Sequence, residues 1–148
     1  MKDYDLLYQQ CEQYIDNKLP IVSVLSNVSA VLNQLDDINW VGFYLSKGDE
    51  LFLGPFQGEV ACTRIPKGKG VCGTSFERKE TIIVSDVNQF KGHIACSSKS
   101  RSEIVTPIII SNNVVGVIDI DSPLYDRFHE EEKNLLEKVA KLLATLQY

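Results

Sequence analysis

Between Glu103 and Asp121 the chain reads "EIVTPIII" (103–110), "SNN" (111–113) and "VVGVIDID" (114–121). Two β-branched runs of alternating character, joined by a short polar segment, demand a β-hairpin. In the second run, alternation sets Val115, Val117, Asp119 and Asp121 on one face and Val114, Gly116, Ile118 and Ile120 on the other. In the first, Ile104, Thr106, Ile108 and Ile110 share a face, and Glu103 lies opposite them. Two registers compete. A two-residue Asn112-Asn113 turn has favourable chemistry, but it places Ile104 beside Asp121 and mixes apolar with polar faces. A three-residue loop, Ser111–Asn113, pairs Ile110 with Val114, Ile104 with Ile120 and Glu103 with Asp121. The apolar match selects the second, because a one-residue slip turns a buried face outward.

That register gathers Glu103, Asp119 and Asp121 on one face of a sheet. Like charges facing each other across strands are destabilising, which leaves two readings. Either the face is open to water or neutralised by basic residues, or it is a site that binds an amine or keeps a carboxyl protonated, since crowding raises at least one pKa.

The rest of the chain supplies what such a hairpin packs against. Tyr4, Leu7, Tyr8, Cys11, Tyr14 and Ile15 recur at helical spacing behind Asp3, a suitable N-cap. Pro20 suits the first turn of a second helix with the stripe Ile21, Val24, Leu25, Val28, Val31, Leu32 and Leu35. A third stripe runs through Phe128, Leu135, Leu136, Val139, Leu142, Leu143 and Leu146, with Glu130, Glu131 and Glu132 favourably placed at its start. "INWVGFYLS", "LFLGPFQG", "EVACTRIP" and "TIIVSDV" read as strands, and "GVCGTSFERKE" as a short helix. Helices at both ends and strands between them predict an α+β domain, a mostly antiparallel sheet flanked by helices. With 148 residues and 44% hydrophobic composition, a single domain over 1–148 can bury an adequate core.

A net charge of −5 argues against a general nucleic-acid or anionic-membrane partner. The N-terminus "MKDYDLLYQQ" lacks the apolar region of a secretory signal, and no apolar run approaches the roughly 20 residues that span a bilayer. A cytoplasmic location is therefore expected, where cysteines stay reduced unless they work.

Of the four cysteines, Cys11 lies on a helix stripe and reads as a core thiol. Cys62, Cys72 and Cys96 fall near strand ends and turns. Cys96 sits in the small, polar stretch "GHIACSSKSRSE", where His93, Lys99 and Arg101 would favour its thiolate if they approach it. These three thiols are either incidental or redox-active. A zinc quartet of Cys62, Cys72, His93 and Cys96 has only one closely spaced pair, so no metal is expected. Trp40, Gly42 and Tyr44 share a strand face, the glycine leaving a gap between two rings; this is either core packing or an aromatic slot for a small apolar or cationic group. Gly68, Gly70 and Gly73 match G-x-G-x-x-G, but Pro66 interrupts the strand that a dinucleotide fingerprint requires. The glycines instead suit a tight turn.

Taken together, "NWVGFYL" (39–45), "LGPFQG" (53–58), "ACTRIP" (61–66), "GKGVCGT" (68–74), "GHIAC" (92–96), "SEIV" (102–105) and "GVIDIDSP" (116–123) resemble the free methionine-(R)-sulfoxide reductases, single-domain proteins of the GAF fold. The resemblance implies that Cys96 is the nucleophile and Cys62 the partner that forms a disulfide with it. Cys72 would be an auxiliary thiol that resolves or relays. Glu103, Asp119 and Asp121 match the family's substrate-binding acids, and Trp40 and Tyr44 its aromatic pocket. Ser97 departs from the pattern, since many relatives carry Asp after the nucleophile. The implied reaction uses no bound cofactor and draws electrons from a thioredoxin-type reductant; the exposed faces of the first two helices could pair, as in other GAF proteins, to give a homodimer. The competing expectations are a ligand-sensing GAF module and a thiol redox sensor, neither of which turns over substrate.

Overall fold

The structure is a computed structural model, and it describes residues 3–94, 96 and 98–148. Helix α1 (Tyr4–Tyr14) begins where Asp3 accepts a hydrogen bond from the Leu6 amide, and α2 (Ile21–Leu32) follows Pro20, which stands at the cap position. Strands β1 (Trp40–Lys47), β2 (Glu50–Gly58) and β3 (Arg64–Pro66) come next, then helix α3 (Gly70–Arg78) and strand β4 (Ile82–Val84). A single 3₁₀ turn at Val87–Gln89 precedes β5 (Ser102–Ile110) and β6 (Asn113–Ser122), and α4 (Glu130–Leu143) closes the chain. The strands form one antiparallel sheet in the order β3-β2-β1-β6-β5-β4. The expected α+β class is therefore observed.

The sheet's two faces do different jobs. Val41, Phe43, Ile104, Ile108, Ile118 and Ile120 point to one side, where they meet the apolar stripes of α1, α2 and α4 in the main core. Trp40, Tyr44, Val105 and Val117 point to the other, where α3 and the side chains of Ala61, Cys62, Val87, Phe90 and Ile94 pack against them beside a cavity. Period-two alternation thus separates a packed side from a side that holds a cavity.

The hairpin register is the expected one at its functional end: Ile104 faces Ile120, and Glu103 faces Asp121. Its turn is not the expected three-residue loop. Ile110 pairs with Asn113 across a two-residue turn, Ser111-Asn112, in which both residues take positive φ (49° and 67°), the backbone pattern of a type I′ turn. A bulge between Ile108 and Ile109 then restores the alternation, since Ile108 pairs with Gly116 but Ile109 with Val114. A second correction concerns "EVACTRIP". Only Arg64–Pro66 pairs as a strand, so Ala61, Cys62 and Thr63 lie on the loop before it.

Glu132 ties the helical layer together. It takes a short hydrogen bond from the Tyr4 hydroxyl, accepts from the His129 amide at 2.6 Å and pairs with Arg127 at 3.3 Å. Burial alone would raise its carboxyl, but these three donors outweigh burial and hold it below its usual range. A carboxyl depressed in the folded state adds stability above its unfolded value near 4.5 and loses it as pH falls through the folded value. Glu132→Ala should cost about 1–3 kcal/mol in urea unfolding at pH 7, and the difference from wild type should shrink on acidification.

Candidate functional site

On the cavity side of the sheet, β1 and β6 run side by side with Trp40 opposite Asp121, Gly42 opposite Asp119 and Tyr44 opposite Val117. On the far side of β6, β5 sets Glu103 opposite Asp121 and Val105 opposite Asp119. One patch of sheet therefore carries two aromatic rings and three carboxyls. It floors a cavity of ≈ 220 Å³ whose walls include Cys72, His93, Cys96 and Lys99.

Trp40 is backed by a further ring that the residue pattern did not flag and that does not itself line the cavity. Phe56 of β2 lies opposite Gly42 and stacks on Trp40, with ring centroids 5.2 Å apart and planes 17° from parallel. Trp40 and Tyr44 stack at 6.0 Å. A Cβ at Gly42 would come 2.3 Å from Phe56 Cβ and 2.8 Å from Trp40 Cη2, so the space between the rings of Trp40 and Tyr44 that the glycine leaves on its strand is taken up by Trp40 and Phe56. The signal was present in "LFLGPFQG", yet using it required knowing the bulge that offsets β2 between Gly42 and Tyr44. Gly42→Ala should destabilise the fold by about 1–3 kcal/mol through overpacking, and a changed tryptophan fluorescence spectrum of the folded variant would report the displaced ring.

Polar bonds anchor this wall to the loop that carries Cys62. Tyr44 donates its hydroxyl proton to the Cys62 carbonyl at 2.8 Å, and Trp40 Nε1 donates to the Glu59 carbonyl at 3.1 Å. Lys99 bonds the Glu59 carboxylate at 2.5 Å, joining the 59–63 loop to the segment after Cys96. Cys62 and Cys96 are bonded in a disulfide, with their Cα atoms 5.3 Å apart across 34 residues of chain. The pairing matches the one that the resemblance implied. Cys72, near the N-terminal end of α3, is a buried free thiol beside Asp119. Cys11 is a free core thiol, pushed up to about 12 by burial and far from ordinary reactivity.

The predicted helpers of Cys96 divide. Arg101 turns away, donating to the Tyr125 hydroxyl at 2.7 Å and lying over that ring. His93 lines the cavity, but burial holds it below its usual range against the pull of Asp119. Ser97 lies outside the described residues.

The carboxyl trio is the electrostatic centre. Glu103 and Asp119 are 8% and 5% exposed, which leaves little water to solvate a charge. Burial, and then the charges of Asp119 and Asp121, raise the Glu103 carboxyl well above its usual range. Burial, and then Asp119, do the same to Asp121. Asp119 is also raised by burial, but hydrogen bonds from Glu103, Cys72 and Asp121 pull it back. Asp119 is therefore the least raised of the three, and burial and neighbouring charge push Glu103 and Asp121 furthest toward the neutral form. Asp119 Oδ1, Asp121 Oδ1 and Asn39 Oδ1 are buried without hydrogen-bond partners among the described residues, an expensive state unless something polar comes to meet them.

The comparisons with known proteins agree with this geometry. The GAF domain family matches residues 20–146. The chain is 48% identical to the free methionine-R-sulfoxide reductase of Escherichia coli (strain K12) over 132 residues, covering 86% of this chain and 80% of the relative. It superposes on the reduced form of fRMsr from Staphylococcus aureus with a TM-score of 0.93 at 50% identity, covering 98% of this chain and 95% of that one. It superposes equally well on the free methionine-R-sulfoxide reductase of Neisseria meningitidis in complex with its substrate (TM-score 0.93, 42% identity, covering 98% and 90%). No helix of the described residues is long and apolar enough to cross a membrane.

Proposed function

Because this chain belongs to the free methionine-R-sulfoxide reductases, a family built on the GAF domain, we propose that it reduces free methionine-(R)-sulfoxide to methionine through the site just described. The observation that carries the reading is the Cys62–Cys96 disulfide at a cavity floored by buried carboxyls raised above their usual range.

A sulfoxide is a poor electrophile until its oxygen gains a proton, so reduction needs a thiolate and an acid together. The substrate's ammonium meets Asp119, whose Oδ1 has no hydrogen-bond partner among the described residues and whose carboxyl is the least raised of the three. Its S-methyl end lies against Trp40 and Tyr44, which line the cavity. The Cys96 thiolate attacks the sulfoxide sulfur while Glu103 or Asp121 donates to the oxygen. Methionine leaves with a lone pair restored to sulfur, and Cys96 keeps the oxygen as a sulfenic acid. The Cys62 thiol then displaces that oxygen as water and forms the disulfide. A dithiol reductant of the thioredoxin type regenerates both thiols by exchange and is itself oxidised. A buried carboxylate for the ammonium in a cavity of this size suits a free amino acid better than a peptide residue, which has no α-amino charge to offer.

The test is a coupled assay with free methionine-(R)-sulfoxide, thioredoxin, thioredoxin reductase and NADPH. NADPH oxidation should depend on the protein and on substrate; a rate no higher than that of Cys96→Ser would defeat the reading. The same assay separates an enzyme from a ligand-sensing or redox-sensing module, which consumes no substrate.

A further inference from the structure

No metal is expected from the residue spacing, because the quartet of Cys62, Cys72, His93 and Cys96 has only one closely spaced pair. The sheet brings together a set that is scattered along the chain. Cys72 Sγ, a Glu103 carboxyl oxygen and an Asp119 carboxyl oxygen lie within 4.8 Å of one another, all three residues buried. Asp119 is 5% exposed, lines the cavity and has an oxygen with no hydrogen-bond partner among the described residues. A second such oxygen, on Asp121, lines the same cavity.

We propose that this cavity floor binds a soft divalent cation of the zinc type through Cys72, Glu103 and Asp119. One thiolate with two carboxylates selects zinc over magnesium or calcium, which take oxygen ligands only. Tetrahedral zinc holds sulfur at about 2.3 Å and oxygen at about 2.0–2.2 Å, so its donors stand roughly 3.5 Å apart. The present set closes to that spacing with side-chain adjustments on the order of 1 Å. Binding expels the Cys72 and Glu103 protons to solvent and sets a dication among three anionic ligands, relieving the repulsion that crowds the site. Asp119 ligates through its carboxyl oxygen, and the cavity leaves the fourth position open. The disulfide leaves Cys72 as the site's one free thiol, so the oxidised chain already contains the complete set. A bound cation would occupy the place assigned to the substrate's ammonium and tie up a proton donor, making it an inhibitor; only that consequence rests on the functional reading.

The test is calorimetric titration of the oxidised protein with zinc chloride, with a parallel cobalt chloride titration read by absorbance. Wild type should bind one ion per chain, and cobalt should show a sulfur-to-metal charge-transfer band. Cys72→Ser should abolish the band and weaken zinc by ~10-fold or more, while Glu103→Gln should weaken binding but keep the band. Thermal melts of both variants confirm that they are folded, and Cys11 remains in each as an internal control. Absence of saturable binding by wild type, or binding and a band unchanged in Cys72→Ser, would overturn the site. These readouts need no turnover, so a failed reductase assay and a failed metal site are separate results.

Discussion

Cys96→Ala should reduce turnover of free methionine-(R)-sulfoxide by ~10³-fold or more, since loss of a nucleophile that cannot be replaced removes the covalent route rather than weakening it. The substitution also removes the Cys62–Cys96 disulfide, so a merely structural role for Cys96 would predict loss of folding. The two cases part on two readouts. If Cys96 is the nucleophile, the variant keeps its thermal melt relative to reduced wild type and still binds the sulfoxide at the aromatic and carboxyl wall. If the effect is structural, melt and binding fail together. Cys62→Ser should behave differently again. It retains the attacking thiol and the acids, so each chain should complete one reduction, and then stall as a sulfenic acid that a dimedone-type trap detects.

Glu103→Gln carries the second large effect, and it points in two directions at once. Removing a positioned general acid should lower kcat by about 10²–10⁴-fold, with Asp121 as the remaining candidate donor. The same change should raise the melting temperature at neutral pH. In the unfolded chain Glu103 ionises near 4.5, but in the folded chain burial and its acidic neighbours raise it well above that value. The unfolded state therefore binds fewer protons across that interval, and stability falls as pH rises from 4.5 toward the folded value. Glutamine has no proton to lose and escapes the penalty. Melts at pH 5 and pH 8 should show wild type losing stability on alkalinisation and Glu103→Gln losing less. A gain in stability with a loss of rate is the pattern of a group kept for function at a cost to the fold. Equal melts with an unchanged rate would show that Glu103 is an ordinary buried acid.

Much of this architecture is legible in the residue pattern, and the limits have physical causes. The helix stripes of α1, α2 and α4 follow directly from side-chain periodicity, because each buries a single face. The pairing of Glu103 with Asp121 follows from matching apolar faces, and it survived a wrong turn assignment because the bulge at Ile108–Ile109 corrected the phase. That bulge leaves no mark on composition. Cys62 looked like a strand residue because Val60, Ala61 and Thr63 are compatible with β structure, yet the pairing of β3 begins only at Arg64. Phe56 escaped notice since its approach to Trp40 depends on an offset between strands rather than on either strand alone. Arg101 is near Cys96 in sequence, but its long side chain turns elsewhere, onto Tyr125. The residues that gather Cys72, Glu103 and Asp119 lie on three elements and share no local signature at all.

The central claim is that Cys96 and Cys62 together deliver two electrons to one free sulfoxide, assisted by the acids around Asp119. The most direct measurement is a single-turnover experiment on fully reduced protein without any external reductant. The reduced chain has four thiols. Mixed with free methionine-(R)-sulfoxide, it should release one methionine per chain and retain two titratable thiols, with peptide mapping locating the new bond between Cys62 and Cys96. The (S) epimer should give no such burst. Four thiols remaining and no methionine formed, or thiols lost without methionine, would contradict the account.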